Sequence, residues 1–371
     1  MPSAGSGPYI ERRALLAIGA GVSQKRIYLD HAATTPVLPA AREAMAEALE
    51  RWHNPSSPHA EGRAAKAALE DARARVASAL GWGGKVIFTS GASEALAIAL
   101  GRAQGGKRYV SAVEHDAVFR AAPDAERLPG GRDGIIDLGW VNGERPVVAV
   151  QHANNETGIL QPLGRLAGEV RAKGGILVAD CAQTAGKLPL PDADMIAISA
   201  HKFGGSPGIG ALLVRDLSLL EPTGGQEQGY RAGTENLPAI LGMVAALEAG
   251  SDWLEQAAAL RQRLEAAVTA AGGEVVGAAA SRIPTIGAYR MPGVPSNAQL
   301  IQFDMAGIAV SAGSACSSGS LKASHVLAAI GWDEPAAREV IRVSFGRDTS
   351  EAEIDRFADM WAGMAARRRS A

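Results

Sequence analysis

The chain has 371 residues, which at about 150 residues per domain is enough for two or three domains. Its 37 lysines and arginines nearly balance 39 aspartates and glutamates, so the net charge of −2 gives no sign of a surface for nucleic acid or anionic membranes. With 47% hydrophobic and 20% charged residues, disorder as the default state is excluded. Two cysteines are too few for a disulfide framework, and no apolar run reaches the ~18 residues of a membrane-spanning helix. We therefore expect a soluble globular protein of the cytoplasm.

The first 26 residues precede the first predicted strand. Arg12 and Arg13 stand before the apolar run Ala14 to Val22, and Glu11 is the only acidic residue of this segment. Such a pattern also occurs in weak export or transit signals, but no clear small-residue cleavage site ends the run. We favour an N-terminal extension, residues 1–26, that is not processed.

From residue 27 onward, short apolar runs alternate with helical patterns. A strand is predicted at Ile27 to Leu29, and helices at Leu38 to Trp52 and at Ala60 to Leu80. Further strand-like runs begin at Val86, Tyr109, Val147, Gly175 and Met195. Short apolar strands with helices between them predict an α/β fold with a mostly parallel, doubly wound sheet.

A polar residue follows each of these five runs. In chain order they are Ser93, His115, Asn155, Asp180 and Lys202. In doubly wound sheets the ligand site lies beyond the carboxyl ends of the strands. The sequence therefore predicts that these side chains meet in one site.

After Thr234 the pattern changes. Asn236 to Ala279 is rich in alanine and helical throughout, and short strands resume at Thr285 to Tyr289 and Ile308 to Ser311. Arg342 to Phe345 alternates in the way that is typical of a half-exposed strand.

This change divides the chain into two domains. We predict a large domain over residues 38–254 and a small α+β C-terminal domain over residues 255–371. Residues 27–37 are expected to join the small domain.

Lys202 and Asp180 are the first candidates for chemistry. A lone lysine at the rim of a sheet usually forms an ion pair or extends to solvent. Partial desolvation beside a site, however, lowers the pKa of a lysine and allows it to form a Schiff base. Asp180, 22 residues earlier, ends the neighbouring predicted strand, where a carboxylate can keep a pyridinium nitrogen protonated. The two groups are those that a pyridoxal phosphate site requires.

A phosphate group could bind where the strand at Val86 leads into a helix. In Ser90-Gly91-Ala92-Ser93 the backbone N–H groups and the Ser93 hydroxyl could hold an anion, although an ordinary serine helix cap has the same sequence. Ser199 and His201 flank the end of the lysine strand and could add donors.

The two cysteines differ in their surroundings. Cys316 lies in Ser311 to Ser320, a stretch too small and polar to pack in a core, and is a candidate nucleophile on a loop. Cys181 follows a strand-like run and is predicted to be inert packing. The seven histidines are scattered without metal-ligand spacing, so no metal is predicted.

Taken together, these motifs resemble those of bacterial cysteine desulfurases of the iron–sulfur assembly type, in the class V aminotransferase group of fold-type I pyridoxal phosphate enzymes. The resemblance extends from Tyr28-Leu29-Asp30 to Ile341-Arg342-Val343-Ser344-Phe345-Gly346-Arg347. Its most specific pieces are Asn154 to Gly158, Ser199 to Lys202, Arg231 to Thr234 and Gly313 to Cys316. It implies a large domain with a mostly parallel seven-stranded sheet, and a small α+β domain that carries the catalytic cysteine loop.

The resemblance also implies roles around the pyridoxal ring. Lys202 is similar to the lysine that forms the Schiff base and later moves the substrate's protons, and Asp180 to the partner of the pyridinium nitrogen. His115 resembles the histidine that stacks on the ring and takes part in proton transfer. Asn155 and Gln183 match the residues that bond the ring hydroxyl side.

Further roles concern the phosphate, the substrate and sulfur. Phosphate contacts are implied for Ala92, Ser93, Ser199 and His201. Thr234 matches a phosphate contact that the other subunit donates, which implies a homodimer. Asn155 and Arg342 would bind the substrate, with Arg342 on its carboxylate, and Cys316 would form the persulfide.

The implied activity is removal of sulfur from L-cysteine, with alanine released and the Cys316 persulfide passed to an iron–sulfur scaffold or another acceptor protein. A selenocysteine lyase or an aminotransferase on the same fold stays open as the alternative. A silent sulfur-relay protein should lack the lysine or the cysteine, and a nicotinamide dehydrogenase should show Gly-x-Gly-x-x-Gly after its first strand. Cys181 and the C-terminal tail, residues 365–371, depart from the family pattern.

Overall fold

A computed structural model describes residues 26–51, 53–312 and 324–369 of the chain. Its helices are α1 (Pro39–Glu50), α2 (Ala60–Ala79), α3 (Ala92–Arg102), α4 (Asp116–Ala121), α5 (Leu163–Ala172), α6 (Leu237–Glu248), α7 (Leu254–Ala270), α8 (Ser296–Met305), α9 (His325–Ala329), α10 (Glu334–Ala337) and α11 (Glu351–Arg369). Its strands are β1 (Ile27–Tyr28), β2 (Lys85–Thr89), β3 (Arg108–Ser111), β4 (Glu126–Leu128), β5 (Val147–Gln151), β6 (Ile176–Asp180), β7 (Met195–Ser199), β8 (Gly210–Val214), β9 (Glu274–Val275), β10 (Ile286–Arg290), β11 (Ile308–Ala309) and β12 (Val340–Ser344).

The main sheet has seven strands in the order β2-β8-β7-β6-β5-β3-β4. Only β8 runs against its neighbours, so the predicted mostly parallel sheet is confirmed. Every residue of β5, β6 and β7 is buried, as expected for apolar strands covered on both faces. Residues of α1, α2, α5 and α6 pack on one face, and residues of α3 and α4 on the other.

Smaller sheets form beside it. Strands β12, β10 and β9 make an antiparallel sheet, and β1 pairs in parallel with β11. This part has its own apolar core, in which the rings of Phe303 and Phe357 stack 4.5 Å apart beside Trp361. Because β1 joins β11, we propose that residues 27–37 belong with the small domain and that it begins near residue 255.

Two sequence predictions for this part are wrong in detail. Strand β12 is buried at all five residues, although its alternation predicted half-exposure. Ile341 and Val343 pack in the small-domain core, whereas Arg342 lines a cavity and Ser344 accepts the Ala32 N–H instead of meeting solvent. The continuous helical stretch predicted over 236–279 is interrupted after α6, where Gly250 has φ +75°, and ends before β9.

None of the described helices combines the length and apolarity needed to cross a membrane.

Candidate active site

The carboxyl ends of the main-sheet strands open into a cavity of about 590 Å³, within the ~300–1,000 Å³ of ordinary ligand pockets. It brings together ten of the residues predicted for the site: Ala92, Ser93, His115, Asn155, Asp180, Gln183, Ser199, His201, Lys202 and Arg342. Thr234 is exposed and does not line this cavity. Cys316 lies outside the described residues.

Lys202 follows β7 at the end of a single 3₁₀ turn. Its Nζ donates hydrogen bonds to the carbonyls of Ala32, at 2.6 Å, and Ala33, at 2.8 Å. Burial, reinforced by the nearby Arg342 guanidinium, lowers the pKa of Lys202 to about 8. A useful fraction of the amine is therefore neutral near physiological pH, which a nucleophilic lysine requires.

Asp180 is the last residue of β6, the neighbour of β7, and His115 caps the start of α4 in the connection that follows β3. Asp180 Oδ1 accepts the Ala182 N–H at 2.9 Å, and within the described part of the chain this carboxylate makes no ion pair. Burial raises the pKa of Asp180 and lowers the pKa of His115. His115 Nδ1 accepts the Ala117 N–H at 3.2 Å, so the proton of the neutral ring is on Nε2.

Helix α3 begins at the predicted phosphate position. Its N-cap is Gly91, at φ +152°, and no side chain caps its N–H groups, so the serine cap considered from the sequence is absent. Strand β8 approaches closely here: a Cβ on Gly210 would lie 2.7 Å from the Gly91 Cα. The free N–H groups and the helix dipole make this end of the cavity suitable for an anion.

Two further polar residues, His201 and Gln183, line the cavity. His201 Nδ1 lies 3.2 Å from the Thr34 hydroxyl, and burial, with the adjacent Lys202 charge, lowers the pKa of His201 to about 4. Gln183 Nε2 donates to the Ala32 carbonyl at 3.0 Å, while its buried Oε1 has no partner within the described residues. His201 is thus a neutral donor or acceptor, and Gln183 keeps an oxygen free to accept.

Arg342 forms the opposite side of the cavity. Its Nη1 donates to the Asn155 carbonyl at 2.9 Å and its Nη2 to Asp30 Oδ1 at 2.8 Å. The side chain is only 6% exposed, and Nε has no partner in the described part of the chain. A planar guanidinium held in this way can take a carboxylate in a fixed orientation.

Sequence reasoning gave no role to three acids of this region. Asp30 bonds Arg342 and lines the cavity. Glu114 is fully buried, accepts from the Ser111 hydroxyl and, at 2.9 Å, from the Gln151 N–H, and burial raises its pKa to about 8. Glu156 accepts the Ser324 hydroxyl at 2.6 Å. Asp30 and Glu156 stand inside the motifs quoted above and Glu114 precedes His115, but periodicity alone does not reveal their burial or partners.

Cys181 packs in the main core with no exposed surface. Burial raises the pKa of its thiol well above the ordinary value. A thiol in this state is a poor nucleophile. No group of three or more His, Cys, Asp or Glu side chains is placed to hold a metal ion within the described ranges.

Comparison with known proteins identifies the family of this fold. Residues 27–357 match the family model "Aminotransferase class-V". The chain belongs to the aminotransferase class-V family. Among curated members, a cysteine desulfurase of Rhodobacter capsulatus is 37% identical and covers 90% of this chain and 95% of its own. A cysteine desulfurase of Archaeoglobus fulgidus is 33% identical over 92% and 98% of the two chains.

Solved structures of class-V relatives agree with the fold. The NifS-like protein from Rickettsia africae superposes with a TM-score of 0.83 at 29% identity, over 92% of this chain and 99% of that one. SspA, solved in complex with cysteine, gives a TM-score of 0.75 at 28% identity, over 86% and 98%. The α/β fold predicted from the sequence is confirmed.

Proposed function

We propose that this class-V aminotransferase is a cysteine desulfurase that uses pyridoxal phosphate to move the sulfur of L-cysteine onto Cys316, releasing L-alanine. The observation that carries the proposal is one cavity that joins Lys202, Asp180 and the uncapped start of α3 to the Arg342 guanidinium. Relatives named cysteine desulfurase over nine-tenths of the chain support the choice of reaction. An aminotransferase needs no thiol, so a requirement for Cys316 distinguishes a cysteine desulfurase from an aminotransferase.

The residues present fit pyridoxal phosphate. Asp180 is a buried carboxylate to which a protonated ring nitrogen would supply the missing cation. The free N–H groups at Ala92 and Ser93 suit a phosphate, and Ser199 and His201 border the same end of the cavity. Gln183 has a buried oxygen without a partner among the described residues, and we propose that it and Asn155 would bond the hydroxyl side of the ring.

Each side chain then has a chemical task. Bound here, pyridoxal phosphate supplies an electron sink for the charge left when the substrate Cα loses its proton. Lys202, with its lowered pKa, would hold the cofactor covalently and carry that proton. His115 would lie against the bound ring and, as a neutral imidazole, could accept or return a second proton. Arg342 fixes the substrate carboxylate beside Asn155.

Sulfur transfer is assigned to Cys316. Its thiolate attacks the substrate sulfur, an S–S bond forms as the Cβ–S bond breaks, and the carbon fragment takes up protons to leave as alanine. The overall change is L-cysteine plus a protein thiol giving L-alanine plus a protein persulfide. No external oxidant or reductant is needed.

We further propose a cytoplasmic homodimer that delivers sulfur to an iron–sulfur scaffold or another acceptor protein. The exposure of Thr234, away from its own cavity, supports a phosphate contact made in a second subunit.

The deciding experiment is mass spectrometry of the pyridoxal phosphate-loaded protein after treatment with L-cysteine. We expect one added sulfur atom on the peptide with Cys316, and one alanine released per sulfur bound. Cys316→Ala should retain the cofactor and lose sulfur transfer, whereas Cys181→Ala should label normally. Sulfur on Cys181, or conversion of cysteine to its keto acid, would refute the proposal; preference for selenocysteine would favour the lyase.

A further inference from the structure

The turn Gln226–Gly229 has an unusual backbone. Glu227, at φ +48°, and Gln228, at φ +59°, are two consecutive non-glycine residues in the left-handed region. That region disfavours any residue with a Cβ, and it persists only where the surroundings over-determine it. Glu227 is 3% exposed, so one of these two residues is also a buried acid.

The Glu227 carboxylate is fully bonded. Its Oε2 accepts Arg73 Nη1 at 2.7 Å and the Phe88 N–H at 2.8 Å, and its Oε1 accepts Arg73 Nη2 at 3.1 Å. Arg73 Nη1 also donates to the Val86 carbonyl at 2.6 Å. Strand β2 is an edge of the main sheet, so this ion pair satisfies backbone groups that no neighbouring strand reaches.

The carboxylate therefore connects the two segments to which the proposed function gives a phosphate contact. Strand β2 leads directly to Gly91 and the free N–H groups of α3. The strained turn leads to Thr234, and Gln226 Oε1 fixes the path between them by accepting the Gly233 N–H at 3.0 Å. We call residues 226–234 the arm; its end, residues 232–234, is exposed.

We propose that Glu227 is a positioning residue that locks the arm, so that Thr234 completes the phosphate site of a second copy of this chain. This rests on the proposed function, because the ligand is the phosphate of pyridoxal phosphate. The buried carboxylate, which accepts three hydrogen bonds, explains why the turn holds a conformation that its residue types disfavour. It follows that loss of Glu227 weakens the partner's site more than its own.

The first test measures the dissociation constant of pyridoxal phosphate by titrating the apoprotein and following visible absorbance. For Glu227→Ala we expect affinity to fall about tenfold or more, with the dimer retained in sedimentation. Glu70→Gln is the matched control, since Glu70 also pairs with Arg73, at 3.2 Å, but is 56% exposed. It should change affinity less than about twofold.

The second test uses mixed dimers in which one subunit carries Lys202→Ala, so that only the other subunit holds the cofactor covalently. Glu227→Ala on the Lys202→Ala subunit should weaken the remaining site, because that subunit donates the arm. The same substitution on the Lys202 subunit should leave it close to normal. If affinity fell instead only when Glu227→Ala was on the Lys202 subunit, Glu227 would act on its own site through β2. That result would overturn the inference.

If Glu227→Ala folds poorly, a more conservative variant can take its place. Glu227→Gln keeps the volume and an acceptor for the Phe88 N–H while weakening the pairing with Arg73, and goes into the same mixed dimers. Unchanged affinity in both variants overturns the inference alone. A wild-type protein that takes up no pyridoxal phosphate overturns the proposed function instead.

Discussion

The cavity has two sides of different construction. On the sheet wall (His115, Asp180 and Lys202) Asp180 ends β6, and the other two side chains stand within four residues after the ends of β3 and β7. On the arginine wall (Asp30 and Arg342) the side chains come from β12 and from the segment after β1, and an ion pair of 2.8 Å joins them. Backbone pairing places the residues of both walls, but on the arginine wall a side-chain ion pair between distant segments also fixes the two charged groups.

This difference predicts that the two walls have different functions. Burial shifts the pKa of all three sheet-wall side chains, the environment in which proton transfer and covalent attachment are tuned. On the arginine wall, hydrogen bonds hold the planar, positively charged guanidinium of Arg342 in place, which suits recognition of a carboxylate. Substitutions on the sheet wall should therefore abolish the chemistry, and those on the arginine wall should weaken substrate binding first.

The largest effect is expected for Lys202→Ala. We predict loss of the visible absorbance of the reconstituted protein and a fall of several orders of magnitude in alanine release, because the covalent link and the proton carrier are both removed. Absorbance spectra and single-turnover alanine assays measure this. Lys66→Ala, at an exposed lysine of α2, is the control and should behave like wild type. A Lys202→Ala protein with normal turnover would disprove the assignment.

The next largest effect is expected for Arg342→Lys, which keeps the positive charge and loses the planar guanidinium. We predict an increase of about 100-fold in the KM for L-cysteine, with cofactor absorbance unchanged, since a lysine cannot replace the bidentate geometry. Steady-state kinetics and the spectrum give both quantities. Asp30→Asn should produce a smaller rise, because Arg342 keeps its bond to the Asn155 carbonyl. Loss of cofactor in either variant would contradict the division between the walls.

The two walls also differ in how far the sequence predicts them. The sheet wall follows from local pattern, because apolar runs mark the strands and each polar residue comes directly after one. The bond between Asp30 and Arg342 joins residues 312 positions apart, and no local period encodes such a pairing. The burial of β12 has a similar cause: Arg342 faces the cavity and Ser344 bonds the Ala32 N–H, and alternation alone does not distinguish such surroundings from solvent.

Glu114→Gln tests the acid buried beside the sheet wall. Burial raises the pKa of Glu114 from an ordinary 4.5 to about 8, so between these values the folded protein holds a proton that the unfolded chain releases. Its contribution to stability therefore falls as pH rises from 4.5 to 8, by up to about 1.4 kcal/mol per pH unit. Glutamine does not titrate, so urea unfolding across this range should show a flatter profile for the variant. Parallel profiles would mean that Glu114 is ionised in the fold.

The smallest effect is expected for Cys181→Ala, which separates the two cysteines. Cys181 is buried in the main core, where burial raises the pKa of its thiol, so the wild-type thiol should resist iodoacetamide at neutral pH while the protein is folded. Replacing sulfur by hydrogen removes a small packed group, and we expect a loss of about 1 kcal/mol in the free energy of unfolding with alanine release unchanged. Peptide mapping after alkylation and urea unfolding measure the two results. If Cys181 were alkylated as fast as Cys316, or if its removal stopped sulfur transfer, Cys181 would itself be one of the reacting groups of the sheet wall.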